Sequence, residues 1–229
     1  MLEELRKAMK TADIDMLLIP SADPHGSEYP EEYFKARKHF SGFTGSAGTL
    51  LIWQGGAGLW TDGRYFLQAE RQLEGSGIDL FKMREPGVPT VDEFITENIR
   101  GGVLGADHRT ISASEGMELE KGGAILKDCR SLIDGCWEGR PELSREPAYV
   151  LPMELAGVSS SDKLGAVRAE MARCDANACI FTDLADIAWL FNIRGNDVKY
   201  LPVALSYAIV EKEKAYVFMD AAKAAPIAA

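Results

Sequence analysis

Several residue types and patterns are scarce in this 229-residue sequence, and each absence excludes a class of protein. Four cysteines without a Cys-x-x-Cys pair argue against a disulfide scaffold or a zinc ribbon. There is no apolar run of about 18 residues, and the charged N-terminus MLEELRKAMK lacks the apolar core of a signal peptide. Lys and Arg number 25 against 35 Asp and Glu, so the net charge of -10 argues against nucleic acid or an anionic membrane as partner. We therefore expect a cytoplasmic globular protein.

Familiar catalytic motifs are also missing. The histidines form no HExxH pattern; they are His25, His39 and His108. The glycine-rich stretch HFSGFTGSAGTLLIW has no lysine after its last glycine, as a phosphate-binding loop requires, and Thr44 replaces the first glycine of a G-x-S-x-G elbow around Ser46. This stretch is therefore predicted to be a structural turn that leads into a strand. A Ser/His/Asp triad stays open, because its members meet only in the fold.

The remaining pattern alternates amphipathic helices with short apolar strands, which is typical of an α/β fold. The runs AGTLLIW and GLWTDG flank QGGA and predict a hairpin in which Gly55 and Gly56 take positive φ. Capping boxes are predicted at Thr90 with Glu93 and at Ser112 with Glu115. The apolar segment LADIAWLFNIRG is predicted to be a core helix that includes Trp189, with aspartates at its start or on its solvated side.

The order of helix, strand, glycine turn and hairpin occurs twice, which indicates a duplicated α/β unit. Three positions recur at a shift of 162; they are Arg6, Met9 and Asp13, matched by Arg168, Met171 and Asp175. The segment WEGRPELSREP, without apolar periodicity, is the predicted boundary. We predict a first domain over 1–145, a linker over 146–157 and the first half of a second domain over 158–229. The chain is expected to be the front part of a longer protein.

One residue at a strand end is a candidate binding group. Asp62 ends a strand in LWTDGRYF, and Arg64 opens the helix that follows, where binding groups often lie in α/β folds. The guanidinium of Arg64 can bind a carboxylate or a carbonyl. A local ion pair with Asp62 is the alternative on these residues alone. For His25 and Glu28 in DPHGSEYP, a hydrogen bond within the loop is preferred over a metal site.

Six segments, in order, strongly resemble the N-terminal region of the cytosolic type of Xaa-Pro aminopeptidase, also called aminopeptidase P. They are DPHGSEYP, FSGFTGSAGT, LWTDGRYFLQAE, KLGAVRAEMA, DIAWLFNIRGNDV and SYAIV. The resemblance implies two creatinase-N-terminal-like (ribonuclease H-like) α/β domains, each a mixed sheet flanked by helices. In this chain the second domain would be incomplete, and the pita-bread catalytic domain that follows in the family would be absent.

The resemblance also implies a function. Family members remove the N-terminal residue that precedes proline, and they use two metal ions, usually manganese, held in the pita-bread domain. This chain would therefore carry no catalytic residue, metal ligand or cofactor; it would wall the substrate cleft and support assembly of a homodimeric, full-length enzyme. Arg64 matches the arginine of the WTDGRY motif, which contacts substrate in the family. Leu201 stands where the family usually has asparagine, which puts any polar contact there in doubt.

Two alternatives differ in class from this interpretation. A free-standing, non-enzymatic module could keep the creatinase-like fold and bind a partner at an open edge. A related prolidase or creatinase is the third possibility, and the WTDGRYFLQAE signature and the duplicated unit speak against it.

Overall fold

In a computed structural model of the protein, which describes residues 1–227, the chain divides into two units, Met1–Pro141 and Glu142–Ala229. The division lies inside the predicted boundary segment WEGRPELSREP. Residues 228 and 229, the end of the predicted second domain, lie outside the described residues.

The first unit is built on a six-stranded mixed sheet with the order β4-β3-β2-β1-β5-β6. Only β2 runs antiparallel to its neighbours; the other pairs in this sheet are parallel. The strands are β1 (Met16–Pro20), β2 (Thr49–Trp53), β3 (Gly56–Thr61), β4 (Asp79–Lys82), β5 (Val103–Ala106) and β6 (Ile125–Asp128). The helices are α1 (Leu2–Thr11), a 3₁₀ helix (Glu32–Phe34), α2 (Ala36–Ser41), α3 (Phe66–Leu73), α4 (Val91–Ile99), α5 (Ala113–Lys121) and α6 (Arg130–Cys136).

Helices cover both faces of this sheet because its strands are apolar on both sides. In β1, Leu17 and Ile19 pack with residues of α1, α2, α3 and α6. Met16 and Leu18 point to the opposite face and pack with residues of α4 and α5. The alternation follows from the two-residue period of a strand. The result is a three-layer α/β unit, which confirms the predicted fold class.

Two local predictions have different outcomes. Both predicted capping boxes are present, at the starts of α4 and α5. The predicted hairpin is present, since β2 pairs antiparallel with β3, but its predicted turn geometry was wrong, because neither Gly55 nor Gly56 has a positive φ. Gly56 is instead required by close approach, since a Cβ there would lie 2.7 Å from Cζ2 of Trp53.

The second unit contains a three-stranded antiparallel sheet with the order β11-β10-β8 and a two-stranded sheet of β7 and β9. The strands are β7 (Tyr149–Val150), β8 (Ala178–Phe181), β9 (Ile193–Arg194), β10 (Tyr207–Glu211) and β11 (Ala215–Phe218). The helices are α7 (Met153–Ala156), α8 (Ser160–Arg173), α9 (Leu184–Leu190) and α10 (Ala221–Ala224).

The predicted linker over 146–157 differs from the structure, because this segment contains β7 and α7. The backbone N–H of Leu151 donates to the carbonyl of Asn192 at 2.7 Å, and that of Ala148 donates to the carbonyl of Lys223 at 3.1 Å. These partners lie more than 40 residues away, so no local sequence pattern indicated them.

Helix α9 exposes a residue that was predicted to be in the core. Its buried side chains are Leu184, Ile187, Ala188 and Leu190. Trp189 points away from them and is exposed. The helix start was predicted correctly, since the Asp183 carboxylate accepts hydrogen bonds from the backbone of the first turn.

The two units repeat the same local geometry at the duplicated positions. Nε of Arg6 donates to the carbonyl at the end of β2 at 3.1 Å, and Nε of Arg168 donates to the carbonyl at the end of β10 at 2.9 Å. Asp13 and Asp175, which lie just before β1 and β8, have φ of 52° and 51°. A positive φ is uncommon for a non-glycine residue, so a match at both positions is specific. The sheet order β11-β10-β8 likewise repeats β3-β2-β1.

One face of the second sheet is open where the matching face of the first is covered. Ile180 of β8 corresponds to Leu18 of β1 at the shift of 162, yet it is 68% exposed against 6% for Leu18. Phe218 of β11 is also exposed. Within residues 142–227 the structure has no counterparts of α4 and α5 to cover this face. The second unit therefore holds only the first part of the repeated fold.

Matched alanine substitutions test this difference. Leu18→Ala is expected to cost about 2–5 kcal/mol, because it leaves a cavity in a closed core. Ile180→Ala is expected to cost under about 1 kcal/mol, because little apolar surface is buried there. Amide hydrogen exchange of β1 and β8 measures each loss separately. An equal loss at both positions would show that Ile180 is buried in solution and that this face of the second sheet is not open.

Candidate functional site

Several polar side chains of the first unit lie at the carboxyl edge of its sheet. Because every strand except β2 points the same way, the segments after β1, β3, β5 and β6 meet at this edge. Ser21, Asp62 and Asp107 each come directly after a strand, and Asp128 is the last residue of β6. Ligand sites of open α/β sheets typically occur at such an edge.

Asp62 and Arg64 form a fork after β3. The Asp62 carboxylate accepts hydrogen bonds from the backbone N–H of Arg64 at 3.0 Å, from its Nε at 2.9 Å and from its Nη2 at 2.8 Å. Hydrogen bonds from the Arg64 side chain lower the pKa of Asp62, and Asp62 raises the pKa of Arg64. The local ion pair between Asp62 and Arg64, which was the alternative from the sequence alone, is therefore present. The Arg64 side chain nevertheless stays 65% exposed, so it is fixed and accessible at once.

A second fork, which the sequence-based prediction missed, follows β5. The Asp107 carboxylate accepts from the backbone N–H of Arg109 at 3.1 Å, from Nε at 3.0 Å and from Nη2 at 2.7 Å. This guanidinium also lies over the rings of Tyr33 and Phe34, 5.3 Å from each centroid. Burial raises the pKa of Asp107, but the hydrogen bonds from Arg109 outweigh it, so the pKa is lowered overall. The shared Asp-x-Arg spacing was the signal available in the sequence.

Arg37 of α2 is a buried cation behind the same edge. Its Nε donates to Oγ of Ser21 at 2.8 Å, its Nη1 to the carbonyl of Phe43 at 2.7 Å and its Nη2 to the carbonyl of Gly45. Burial lowers its pKa to about 10, with a small opposing effect of Tyr65. Sequence reasoning missed this residue too. An arginine three positions before Phe40, in the apolar stripe of a helix, was the available signal.

The glycine-rich stretch is a structural turn, as predicted. Gly42 ends α2 with φ of 71°. At Gly45 a Cβ would lie 2.3 Å from the ring of Phe43 and 2.9 Å from the ring of Tyr65, so only glycine fits. The stretch then places Ser46, whose Oγ lies 2.8 Å from the hydroxyl of Tyr65.

A cleft of about 560 Å³ lies at the carboxyl edge. Its polar lining includes Ser21, Asp23, Glu28, Ser46, Arg64 and Arg109. The loop after β1 is held by Asp23, whose Oδ1 accepts from the backbone N–H of His25 and Ser27, both at 2.9 Å. These backbone bonds fit the preferred interpretation of this segment as a hydrogen-bonded loop.

The other histidines have structural surroundings. The ring of His39 stacks on Trp137 with centroids 4.5 Å apart, and burial lowers its pKa. The backbone N–H of His108 donates to Oδ1 of Asp128. Across residues 1–227, no group of three or more His, Cys, Asp or Glu side chains is arranged to hold a metal ion. In the same range, no helix is long and apolar enough to cross a membrane.

The Asp107–Arg109 fork predicts a pH-dependent contribution to stability. Arg109→Gln is expected to destabilise the first unit by about 1–3 kcal/mol at neutral pH, because it leaves a buried carboxylate with fewer donors. The folded pKa of Asp107 lies below its usual 3.8. The stability that the fork adds is therefore present above that pH and is lost as the pH falls through the folded pKa. The free energies of unfolding of the unmodified protein and of Arg109→Gln should therefore become equal in acid.

Urea unfolding at several pH values, followed by tryptophan fluorescence, measures this difference. Arg130→Gln is the matched control. Nη2 of Arg130 lies 3.8 Å from Asp128 and its Nε lies 3.9 Å from Asp107, so this arginine forms longer ion pairs than Arg109 does. The control should cost under about 0.5 kcal/mol. A loss with Arg109→Gln that does not change with pH would contradict the account.

Comparisons with known proteins agree with this architecture. The family described as "Creatinase/Prolidase N-terminal domain" has two sequence models that match the chain, one over residues 1–136 and one over residues 139–229. An "Aminopeptidase P1" of Lotus japonicus is 39% identical over 94% of the chain, which covers 33% of that protein. A "Probable Xaa-Pro aminopeptidase P" of Coccidioides posadasii is 40% identical over 97% of the chain, which covers 37% of that protein.

A solved structure gives the same result. It is an X-prolyl aminopeptidase from Caenorhabditis elegans, described as "a cytosolic enzyme with a di-nuclear active site". It is 34% identical to this chain and superposes with a TM-score of 0.88 over 97% of the chain, which covers 39% of that protein. The chain thus spans about a third of the relatives it matches and corresponds to their N-terminal region. The models of the creatinase/prolidase N-terminal domain family match nearly the whole sequence, so the chain belongs to this family.

Proposed function

We propose that this chain is the non-catalytic N-terminal part of a Xaa-Pro aminopeptidase, where it walls the substrate cleft and supports assembly. Its substrates would be peptides with proline at the second position. The observation that carries the proposal is the guanidinium of Arg64, which is fixed by Asp62 yet exposed at the carboxyl edge of the sheet. Similarity to aminopeptidases over nearly the whole chain supports the substrate class.

The geometry of Arg64 suits recognition of a peptide. A guanidinium has five N–H donors, and Asp62 takes one from Nε and one from Nη2. Three donors are left for a peptide carbonyl or carboxylate. Because Asp62 and the adjacent Tyr65 ring, 5.3 Å away, already restrict the side chain, binding loses little side-chain entropy. In this proposal Arg64 binds substrate and Asp62 is a positioning residue.

The chain does not supply the hydrolytic step in this proposal. The residues that the structure describes form no metal-binding group, so they do not fit a metal centre. We therefore assign two manganese ions, their ligands and the bond-breaking step to a domain outside this chain. A cytoplasmic location and a homodimeric full-length enzyme complete the proposal, and both come from the family resemblance.

One observation favours a second function of a different class. The open face of the second sheet, with Ile180 and Phe218 exposed, is a surface that a partner protein can cover. A free-standing, non-enzymatic binding module would use this face.

Arg64→Ala in the natural full-length protein tests the first proposal. We expect kcat/KM on an Xaa-Pro peptide to fall about tenfold or more, which corresponds to about 1.4 kcal/mol of lost transition-state stabilisation. Arg71→Ala is the control, because this arginine is exposed on α3 and forms no ion pair within residues 1–227. It should change kcat/KM by less than about twofold.

Two results would separate the alternatives. An Arg64→Ala enzyme within about twofold of the unmodified enzyme would end the substrate-binding role of Arg64. A natural protein that cleaves no Xaa-Pro peptide would contradict the peptidase proposal and favour the binding module.

A further inference from the structure

A second, smaller cavity adjoins the Arg64 cleft. It has a volume of about 220 Å³ and shares Pro20, Ser21, Glu28 and Ser46 with the cleft. At about 30 Å³ per water, it has room for about seven waters, or for one short side chain. Its apolar wall consists of Tyr29, Pro30 and Phe34. Its remaining lining carries an unusual number of cations, namely Lys35, Arg37 and Lys38.

Arg37 contributes a positive charge that no described acid neutralises. The side chain is buried, and its hydrogen bonds go to the hydroxyl of Ser21 and to two backbone carbonyls. Among residues 1–227 no carboxylate lies within ion-pair distance of this guanidinium. Three of its five N–H donors are used, so two are left. A buried cation is costly unless an anion or dipoles compensate it; here the compensation comes from these dipoles and from the ring of Phe43, whose centroid lies 4.9 Å from the guanidinium carbon.

The mouth of the cavity adds to this positive charge. Lys38 is exposed and has no ion pair in the part of the chain that the structure describes. Lys35 pairs with Glu32, 2.5 Å away. Glu28 is the single carboxylate of the lining, and it interacts with Tyr29 and with Arg64 of the neighbouring cleft. The lining therefore keeps a net positive charge, with Arg37 buried and Lys38 exposed.

We propose that this cavity binds a carboxylate of the peptide beyond the proline, between the guanidinium of Arg37 and the ammonium of Lys38. The proposal rests on the proposed function, because the adjoining Arg64 cleft would bring the peptide to the cavity. The carboxylate has two possible sources, an Asp or Glu side chain and the C-terminal α-carboxylate. Tyr29, Pro30 and Phe34 would contact the methylene groups that precede it.

Matched peptides and a charge reversal test the proposal in the natural full-length protein. The peptides share Xaa-Pro and differ afterwards: Glu-amide carries a side-chain carboxylate, Ala carries an α-carboxylate, and Ala-amide carries neither. We expect KM to be about fivefold lower for at least one acidic peptide than for Ala-amide, the size of a modest ion pair. The acidic peptide with the lower KM identifies the source of the carboxylate. Lys38→Glu should abolish the preference.

The control is Lys10→Glu, because this exposed lysine lies at the end of α1, which leads to the amino end of β1. It should keep the preference. Equal KM values for all three peptides would overturn the proposal, as would a preference that survives Lys38→Glu or disappears with Lys10→Glu.

A binding measurement keeps the proposal testable without activity. The Nε–H signal of Arg37 is followed by NMR during titration with acetyl-Glu-amide, acetyl-Ala and acetyl-Gln-amide. We expect a saturable shift with at least one carboxylate and none with the neutral Gln compound. If no peptide is cleaved but the carboxylate shift is present, the peptidase proposal fails and the carboxylate site stands. If cleavage is normal and no carboxylate shifts the signal, the site is wrong and the peptidase proposal stands.

Discussion

The candidate site depends on one buried guanidinium. Arg37 joins the end of β1, through Ser21, to the carbonyls of Phe43 and Gly45 in the glycine-rich stretch. These bonds hold two loops that would otherwise lie on the surface without regular secondary structure. Because its partners are neutral, the arginine fixes the cavity wall and keeps its charge available. The same contacts that shape the cavity thus determine its electrostatic character.

The two Asp-x-Arg forks show how burial gives one motif two roles. After β3 and after β5, an aspartate accepts from the backbone and guanidinium of the arginine two residues later. Arg64 is left 65% exposed, whereas Arg109 packs on aromatic rings and is 23% exposed. The first fork is therefore suited to binding, and the second stabilises the loop after β5. Their equal sequence spacing does not distinguish these roles, because exposure is set by neighbouring elements.

Local patterns predicted the α/β order, both capping boxes and the turn character of the glycine-rich stretch, since each depends on residues close in sequence. Predictions failed where the position of a particular side chain, or a contact between residues distant in sequence, decides the outcome. Gly56 is needed because of the ring of Trp53, and the segment around β7 is ordered by pairing with β9. Trp189 is exposed because the buried stripe of α9 runs on the other side. Arg64 was found from its strand-end position, whereas Arg37 was missed because burial opposes the usual place of arginine.

The repeated geometry at Arg6 and Arg168 and the open face at Ile180 describe a chain that holds one whole α/β unit and part of another. In the proposed function the chain contributes a cleft wall and leaves the chemistry to other residues. The most direct test is the release of the N-terminal residue from an Xaa-Pro peptide, in the presence of manganese, by the natural protein and by the 229-residue chain. We expect release by the natural protein alone. Equal release by the 229-residue chain would contradict the proposed function.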